Sequence, residues 1–202
     1  NPSLVGSEMC IRDRYRTMSG LFITLEGGEG SGKSTQASLL KLWFADLFPG
    51  REIVVTREPG GTDQAEEIRE ILVNGAADKL AVQTEALLMI AARTEHVLKV
   101  LKPALMREAI VICDRFSDST LVYQGLAHGK DIELLRSIHR FCFADLSPDI
   151  TFVLDVPPEQ GLLRAETRTK KQNSESRFEQ KGLSFHKSVR DGFIKLAKRE
   201  PD

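Results

Sequence analysis

Cysteine is scarce in this chain. Cys10, Cys113 and Cys142 are three in 202 residues, with no Cys-x-x-Cys pair and no Cys/His spacing that would hold a metal. That count excludes a disulfide framework, and Cys113 and Cys142 sit in apolar segments where buried thiols are expected. A reducing, cytoplasmic setting fits. No apolar run reaches the length of a membrane span. Neither sign of charge dominates: 28 Lys and Arg against 29 Asp and Glu leave −1, which argues against a general nucleic-acid or membrane-surface binder. No Asn-Lys-x-Asp guanine motif occurs, which counts against a GTPase-type switch, and no internal repeat is visible. What remains, 41% apolar and 28% charged, is the composition of one ordinary globular domain.

The densest signal lies in residues 21–35. Leu21, Phe22, Ile23, Thr24 and Leu25 read as a buried strand. It runs into Gly27-x-x-x-x-Gly32-Lys33-Ser34, the phosphate-binding P-loop pattern, and Leu39, Leu40, Trp43 and Leu47 then recur at helical spacing. Gly27, Gly28, Gly30 and Gly32 allow a tight turn whose N–H groups face phosphate oxygens, with Glu29 and Ser31 between them. The helix that follows, opening with Lys33, Ser34 and Thr35, presents its positive end. Lys33 is placed for the β- and γ-phosphates, and the Ser34 hydroxyl for Mg²⁺. These nine residues, 27–35, are the candidate ATP site.

Strands and helices alternate thereafter, an α/β pattern. Residues 52–56 read as a strand ending in a loop that carries Arg57, with Thr62 or Asp63 as cap of the next helix. Ligands of open α/β sheets bind beyond the strands' carboxyl ends, which makes Arg57 an anion candidate. Residues 84–107 form a long helical pattern with the stripe Leu87, Ile90, Ala91, Leu98, Leu101 and Leu105, and Pro103 is expected to kink or tighten its end. Arg93 lies in its middle, either solvated or an anion clamp aimed at a cleft. A strand over 109–113 ends in Asp114-Arg115-Phe116, where a P-loop enzyme keeps a carboxylate near Mg²⁺. Ser119, Thr120, Tyr123 and Gln124 follow as groups suited to a base and sugar. A helix opens at Asp131 and a strand covers 150–156. Residues 164–181 then change character: Arg164, Arg168, Lys170, Lys171, Arg177 and Lys181 stand among small and polar residues. Such a run is a solvated face or a mobile lid whose arginines close on phosphate. Apolar spacing from Phe185 marks a last helix.

Taken together, the chain resembles the bacterial thymidylate kinase (dTMP kinase) family across about residues 18–202. The resemblance is carried by Glu26-Gly-Gly-Glu-Gly-Ser-Gly-Lys-Ser-Thr35, Thr56-Arg-Glu-Pro-Gly-Gly-Thr62, Ala91-Ala-Arg93, Asp114-Arg-Phe-x-x-Ser119-Thr-x-x-Tyr-Gln124, and Leu154-Asp155 with Gly161-Leu-x-Arg164. It implies a P-loop NTPase three-layer fold, a parallel sheet flanked by helices with a mobile lid. It also implies transfer of the ATP γ-phosphate to dTMP with Mg²⁺, for dTTP synthesis, by a homodimer paired through the 84–107 region. By the same resemblance Glu29 lies near the acceptor's 3′-hydroxyl, and Arg57, Arg93 and Arg115 surround its phosphate. Thr120, Tyr123 and Gln124 face its sugar and base, with Tyr123 disfavouring a ribose 2′-hydroxyl. Lys33 and Asp114 are catalytic, Ser34 and Asp114 hold the metal, and Arg168 or Arg177 is the lid's catalytic arginine. Met89 stands where the family stacks a phenylalanine on thymine, Val122 replaces an alanine, and Ser176 replaces an aspartate. Residues 1–17 are expected to be a non-native or disordered extension, and the family's final strand and helix are expected to be missing beyond Asp202. The alternatives are a related P-loop kinase for another pyrimidine nucleotide, or an inactive truncated form.

Overall fold

A computed structural model describes residues 20–143, 146–172 and 177–199, with the side chains of 168–172 outside that description. The expected 1–17 extension and Ser176 therefore lie outside the described residues.

Four parallel strands form the sheet: β1 (Leu21–Glu26), β2 (Ile53–Arg57), β3 (Ile110–Asp114) and β4 (Ile150–Val153), in the order β2-β3-β1-β4. The register pairs Ile23 with Ile112 on one side and with Ile150 on the other. β1 and β3 are buried on both faces, which is why they read as continuous apolar runs rather than alternating ones. Their side chains nevertheless alternate between two cores. Ile23, Leu25, Ile110 and Ile112 pack with Ala37 and Phe44 of α1 (Lys33–Leu47). Phe22, Val111 and Cys113 pack with Ile90 of α3 (Val82–His96), Val97 and Leu101 just beyond it, and Leu105 of α4 (Lys102–Met106). Cys113 is a fully buried thiol, and burial pushes its pKa up.

Between β2 and α3 lies α2 (Asp63–Val73), capped by Thr62, whose side chain accepts from the Ala65 N–H at 3.2 Å. The long helical pattern is present but not continuous: between α3 and α4 the chain makes one π-helical turn at Val97–Leu101. The Lys102 N–H reaches back five residues to Val97 O. Pro103 explains the widening, because its ring has no N–H and would crowd the carbonyl four residues earlier. The expected kink is thus a local unwinding. Of the expected stripe, Ile90, Leu101 and Leu105 are buried, while Leu87 and Leu98 stand 60% and 55% exposed. In α1 the inward face is Ala37, half-buried Leu40 and Phe44, and Leu39, Trp43 and Leu47 point outward.

After β3 the chain winds through α5 (Ser117–Thr120), a second π turn at Leu121–Gly125 and a 3₁₀ turn at Leu126–His128, then α6 (Glu133–Phe143). Leu121, Val122 and Tyr123 form a third core with Val189, Phe193 and Leu196 of α8 (Leu183–Arg199). β4 is shorter than the expected 150–156 and leads into α7 (Pro158–Gln172). All strands run the same way, so Glu26, Arg57 and Asp114 emerge together at one edge of the sheet. No helix among the described residues is long and apolar enough to cross a membrane.

Candidate active site

The P-loop leaves β1 at Glu26 and wraps to Gly32, which precedes α1. Gly30 shows why glycine is needed: its φ is +62°, and a Cβ there would lie 2.0 Å from Gly161 O. The reciprocal holds at Gly161, whose Cβ would lie 2.2 Å from Glu29 O. Two bare backbones therefore touch, seating the start of α7 on the P-loop. Lys33 is buried, and its ammonium donates to Gly27 O (3.2 Å), Gly28 O (2.8 Å) and Ser31 Oγ (3.2 Å). Burial and the neighbouring Arg115 push its pKa down to about 8 against the pull of Glu29, Asp114 and Glu26. Ser34 Oγ donates to Asp114 Oδ2 at 2.7 Å, which sets a hydroxyl and a carboxylate oxygen side by side at the exposed mouth. Thr35 is exposed on the first turn of α1.

Arg115 sits at the hub. Its backbone has φ +71°, a left-handed conformation that costs a non-glycine residue of order 1–3 kcal/mol. The cost is offset by contacts at both ends of the residue. Its N–H donates to Leu25 O, Nη1 donates to Gly27 O (2.9 Å) and Ser119 Oγ (3.0 Å), and Nη2 donates to Glu29 Oε1 (2.9 Å). The Tyr123 hydroxyl donates to the same Glu29 oxygen at 3.0 Å. Burial alone would raise the Glu29 pKa, but Arg115, Lys33 and Tyr123 together hold it down at about 2. Three residues earlier Glu26 goes the other way. Burial and the nearby Asp118 raise its pKa to about 7, although it accepts from Ser119 Oγ (2.6 Å) and the Phe116 N–H (2.8 Å). Both carboxylates belong to one strand-and-loop, and their surroundings set them apart.

Arg93 projects from α3 and is buried. Nε donates to Glu58 Oε2 (2.6 Å), and Nη2 donates to Phe116 O (2.8 Å) and Thr120 Oγ1 (3.0 Å). Among the described residues no acceptor meets Nη1. Glu58 is itself shared, its other oxygen lying 2.9 Å from His96 Nδ1, while His96 Nε2 lies 2.7 Å from Thr56 Oγ1. These contacts tie the loop after β2 to α3. Arg93, Arg115, Glu29, Met89, Ser119, Thr120, Tyr123 and Gln124 all line one pocket. Met89 is half-buried one turn before Arg93.

Of the other expected arginines, one lies outside the pocket lining, one lines it with its donors already used, and one has its side chain outside the described residues. Arg57 is 54% exposed, pairs with Glu66 at 3.0 Å, and is outside the pocket lining. Arg177 is not an open lid arginine. It is fully buried, with Nη2 on Glu85 Oε1 (2.6 Å) and Ala77 O (3.3 Å), Nη1 on Leu72 O (2.8 Å) and Nε on Ala76 O (3.1 Å). Every donor-bearing nitrogen is occupied by protein, so this guanidinium clasps the α2–α3 connection. Arg168 lies on α7, with its side chain outside the described residues. Conversely, Arg69 and Phe178 line the pocket though no motif contains them, and Glu58 and Phe116 line it though their motifs assign them no site role. Arg69 also holds the loop by donating to Pro59 O at 2.8 Å. A charged residue on an amphipathic helix such as α2 carries no local sign of which way it faces.

Comparison with known proteins agrees with this geometry. The family model described as thymidylate kinase matches residues 25–202. The thymidylate kinase of Caulobacter vibrioides is 48% identical over 185 residues, covering 91% of this chain and 85% of that protein. That of Magnetococcus marinus is 47% identical over 184 residues, covering 91% and 85%. The crystal structure of thymidylate kinase from Ehrlichia chaffeensis superposes with a TM-score of 0.70 at 38% identity, covering 90% of this chain and 84% of that one. A P-loop backed by α7, an arginine-lined pocket beside it and similarity over nine-tenths of the sequence lead to one conclusion: the chain belongs to the thymidylate kinase family.

Proposed function

We propose that this chain transfers the γ-phosphate of ATP to dTMP, giving dTDP and ADP for dTTP synthesis, with the acceptor in the pocket lined by Arg93 and Glu29. The observation that carries the reading is that pocket. It joins a P-loop carboxylate held ionised by Arg115 and Tyr123 to a buried arginine whose Nη1 meets no acceptor among the described residues.

The reaction asks for two anions held in line and their charge balanced. The acceptor phosphate oxygen is ionised at neutral pH, attacks the γ-phosphorus and displaces ADP, so no general base is required. Lys33 leaves the loop carbonyls for the β- and γ-phosphates, and burial makes its charge count more there. The free edge of Arg93 takes the acceptor phosphate, and Arg57 reaches in from its weak surface pair. Glu29 accepts from the sugar 3′-hydroxyl, and the Tyr123 ring, whose hydroxyl bonds Glu29, disfavours a 2′-hydroxyl. Met89 covers the base as a flexible thioether. Ser34 and Asp114 provide the adjacent hard oxygens that suit Mg²⁺, which otherwise draws its ligands from water and phosphates. When bound, the ion neutralises charge on the β- and γ-phosphates. Arg168, on the helix whose Gly161 abuts the P-loop, is the lid cation for the transferring group. Exposed Leu87 of α3 and Leu98 of the π turn after it support pairing of two copies through the 84–107 region, and the scarcity of cysteine supports a cytoplasmic enzyme.

The test is ADP release with Mg·ATP and, in turn, dTMP, dUMP, dCMP, UMP and thymidine. Turnover strongest on dTMP is expected. A better acceptor among the others would overturn the substrate assignment, and release that ignores every acceptor would overturn the kinase reading.

A further inference from the structure

Behind the pocket lies a carboxylate that the mechanism above does not use. Glu85, at the start of α3, is 1% exposed. Its Oε1 accepts from Arg177 Nη2 (2.6 Å) and Lys181 Nζ (3.3 Å). Its Oε2 accepts from Gln124 Nε2 at 3.1 Å. Glu85, Met89 and Arg93 stand at successive turns of one helix, so the residue that holds Gln124 shares a rigid element with those facing the base and the phosphate.

A glutamine amide is nearly symmetric in shape and can present either its oxygen or its nitrogen to a ligand. Its environment decides which. A carboxylate offers acceptors only, so Glu85 fixes the Gln124 nitrogen toward itself and leaves the carbonyl oxygen and one N–H for the pocket. We infer that Glu85 is a specificity-positioning residue: by holding the Gln124 amide in one orientation, it makes the pocket accept a pyrimidine with the N3–H/O4 pattern of an imide and reject the reversed pattern of an aminopyrimidine. Flipping the amide to suit the latter would set two acceptor oxygens, those of Gln124 and Glu85, against each other in a buried site. Arg177 and Lys181 keep the carboxylate in place, which gives the buried clasp a part in recognition as well as in folding. The inference rests on the reading that the base lies against Gln124.

The test compares kcat/KM for dTMP, dUMP and 5-methyl-dCMP. The last keeps the thymine methyl group and reverses the hydrogen-bonding edge. The wild type should prefer dTMP to 5-methyl-dCMP by at least ~100-fold. In Glu85→Gln the new amide can donate to Gln124, the flip is allowed, and that preference should shrink at least ~10-fold, with the dTMP/dUMP ratio and the ATP KM held. If the uncompensated Arg177 charge prevents folding, Glu85→Asp, which keeps a carboxylate for Arg177 and Lys181 while drawing it back from Gln124, repeats the measurement. An equal fall for all three acceptors would make Glu85 merely structural and overturn the inference, as would an unchanged ratio or a wild type that discriminates less than ~10-fold. A wild type that turns over another acceptor but not dTMP would instead overturn the acceptor reading, and this inference with it.

Discussion

Two arginines wall the same pocket, and each is buried against a carboxylate at 2.6 Å, Arg93 on Glu58 and Arg177 on Glu85. They differ in what is left over. Arg177 gives every nitrogen to protein: one carboxylate and three carbonyls. Arg93 gives two and leaves Nη1 without a protein acceptor among the described residues. A fully satisfied guanidinium has nothing to gain from a ligand, whereas a partly satisfied one is already fixed in place and still has donors to offer. Burial and charge are alike in the two, and the count of unused donors separates a binding group from a structural one.

The largest effect should come from breaking the clasp. Arg177→Ala takes from the buried Glu85 carboxylate its shortest ion pair, leaving it Lys181 at 3.3 Å and Gln124 at 3.1 Å, strands the carbonyls of Leu72, Ala76 and Ala77, and should lower stability by about 3–5 kcal/mol. In thermal unfolding that is a fall of roughly 6–20 °C. A loss below ~1 kcal/mol would mean that the clasp is loose in solution.

A second comparison, between Glu26 and Glu29, predicts opposite pH behaviour. Glu26 has its folded pKa raised to about 7, so the folded state holds a proton that the unfolded chain has lost. Its contribution therefore erodes stability as pH climbs from about 4.5 to about 7, by up to ~1.4 kcal/mol per pH unit, and the penalty is constant above. Glu29, held at about 2, contributes stability that is present above the ordinary carboxylate pKa and lost as pH falls toward 2. Unfolding of Glu26→Gln and Glu29→Gln against pH should remove the first slope and the second, respectively. A Glu26→Gln profile parallel to the wild type between pH 5 and 7 would contradict the assignment.

The smallest effect belongs to Arg57. Its pair with Glu66 is about half exposed on both sides, so Arg57→Ala should change the unfolding free energy by less than ~1 kcal/mol. A larger loss would place Arg57 with the clasping arginines instead.

These differences explain which parts of the molecule were legible in sequence. The P-loop could be read because its groups, Gly27 to Ser34, are neighbours in the chain and the flanking strand and helix confirm it. The Ser34–Asp114 and Arg115–Glu29 contacts follow once β3 lies beside β1. The facing of α1 was not legible, because 39, 43 and 47 repeat with helical spacing just as 37 and 44 do, and only the sheet decides which stripe turns inward. The Pro103 effect was legible as a disturbance but not as a π turn. Arg177 was least legible. It sits in a charged stretch that reads as lid or solvated surface, and its partners are about a hundred positions away in sequence.

The most direct test of the account is the KM for dTMP and for ATP in Arg93→Ala, with Arg93→Lys as a companion that keeps a cation beside Glu58. Both variants should raise the dTMP KM by about 10- to 100-fold, since lysine lacks the planar fork, and leave the ATP KM nearly unchanged. An equal rise for both substrates, or none for dTMP, would contradict the claim that the free edge of Arg93 holds the acceptor phosphate.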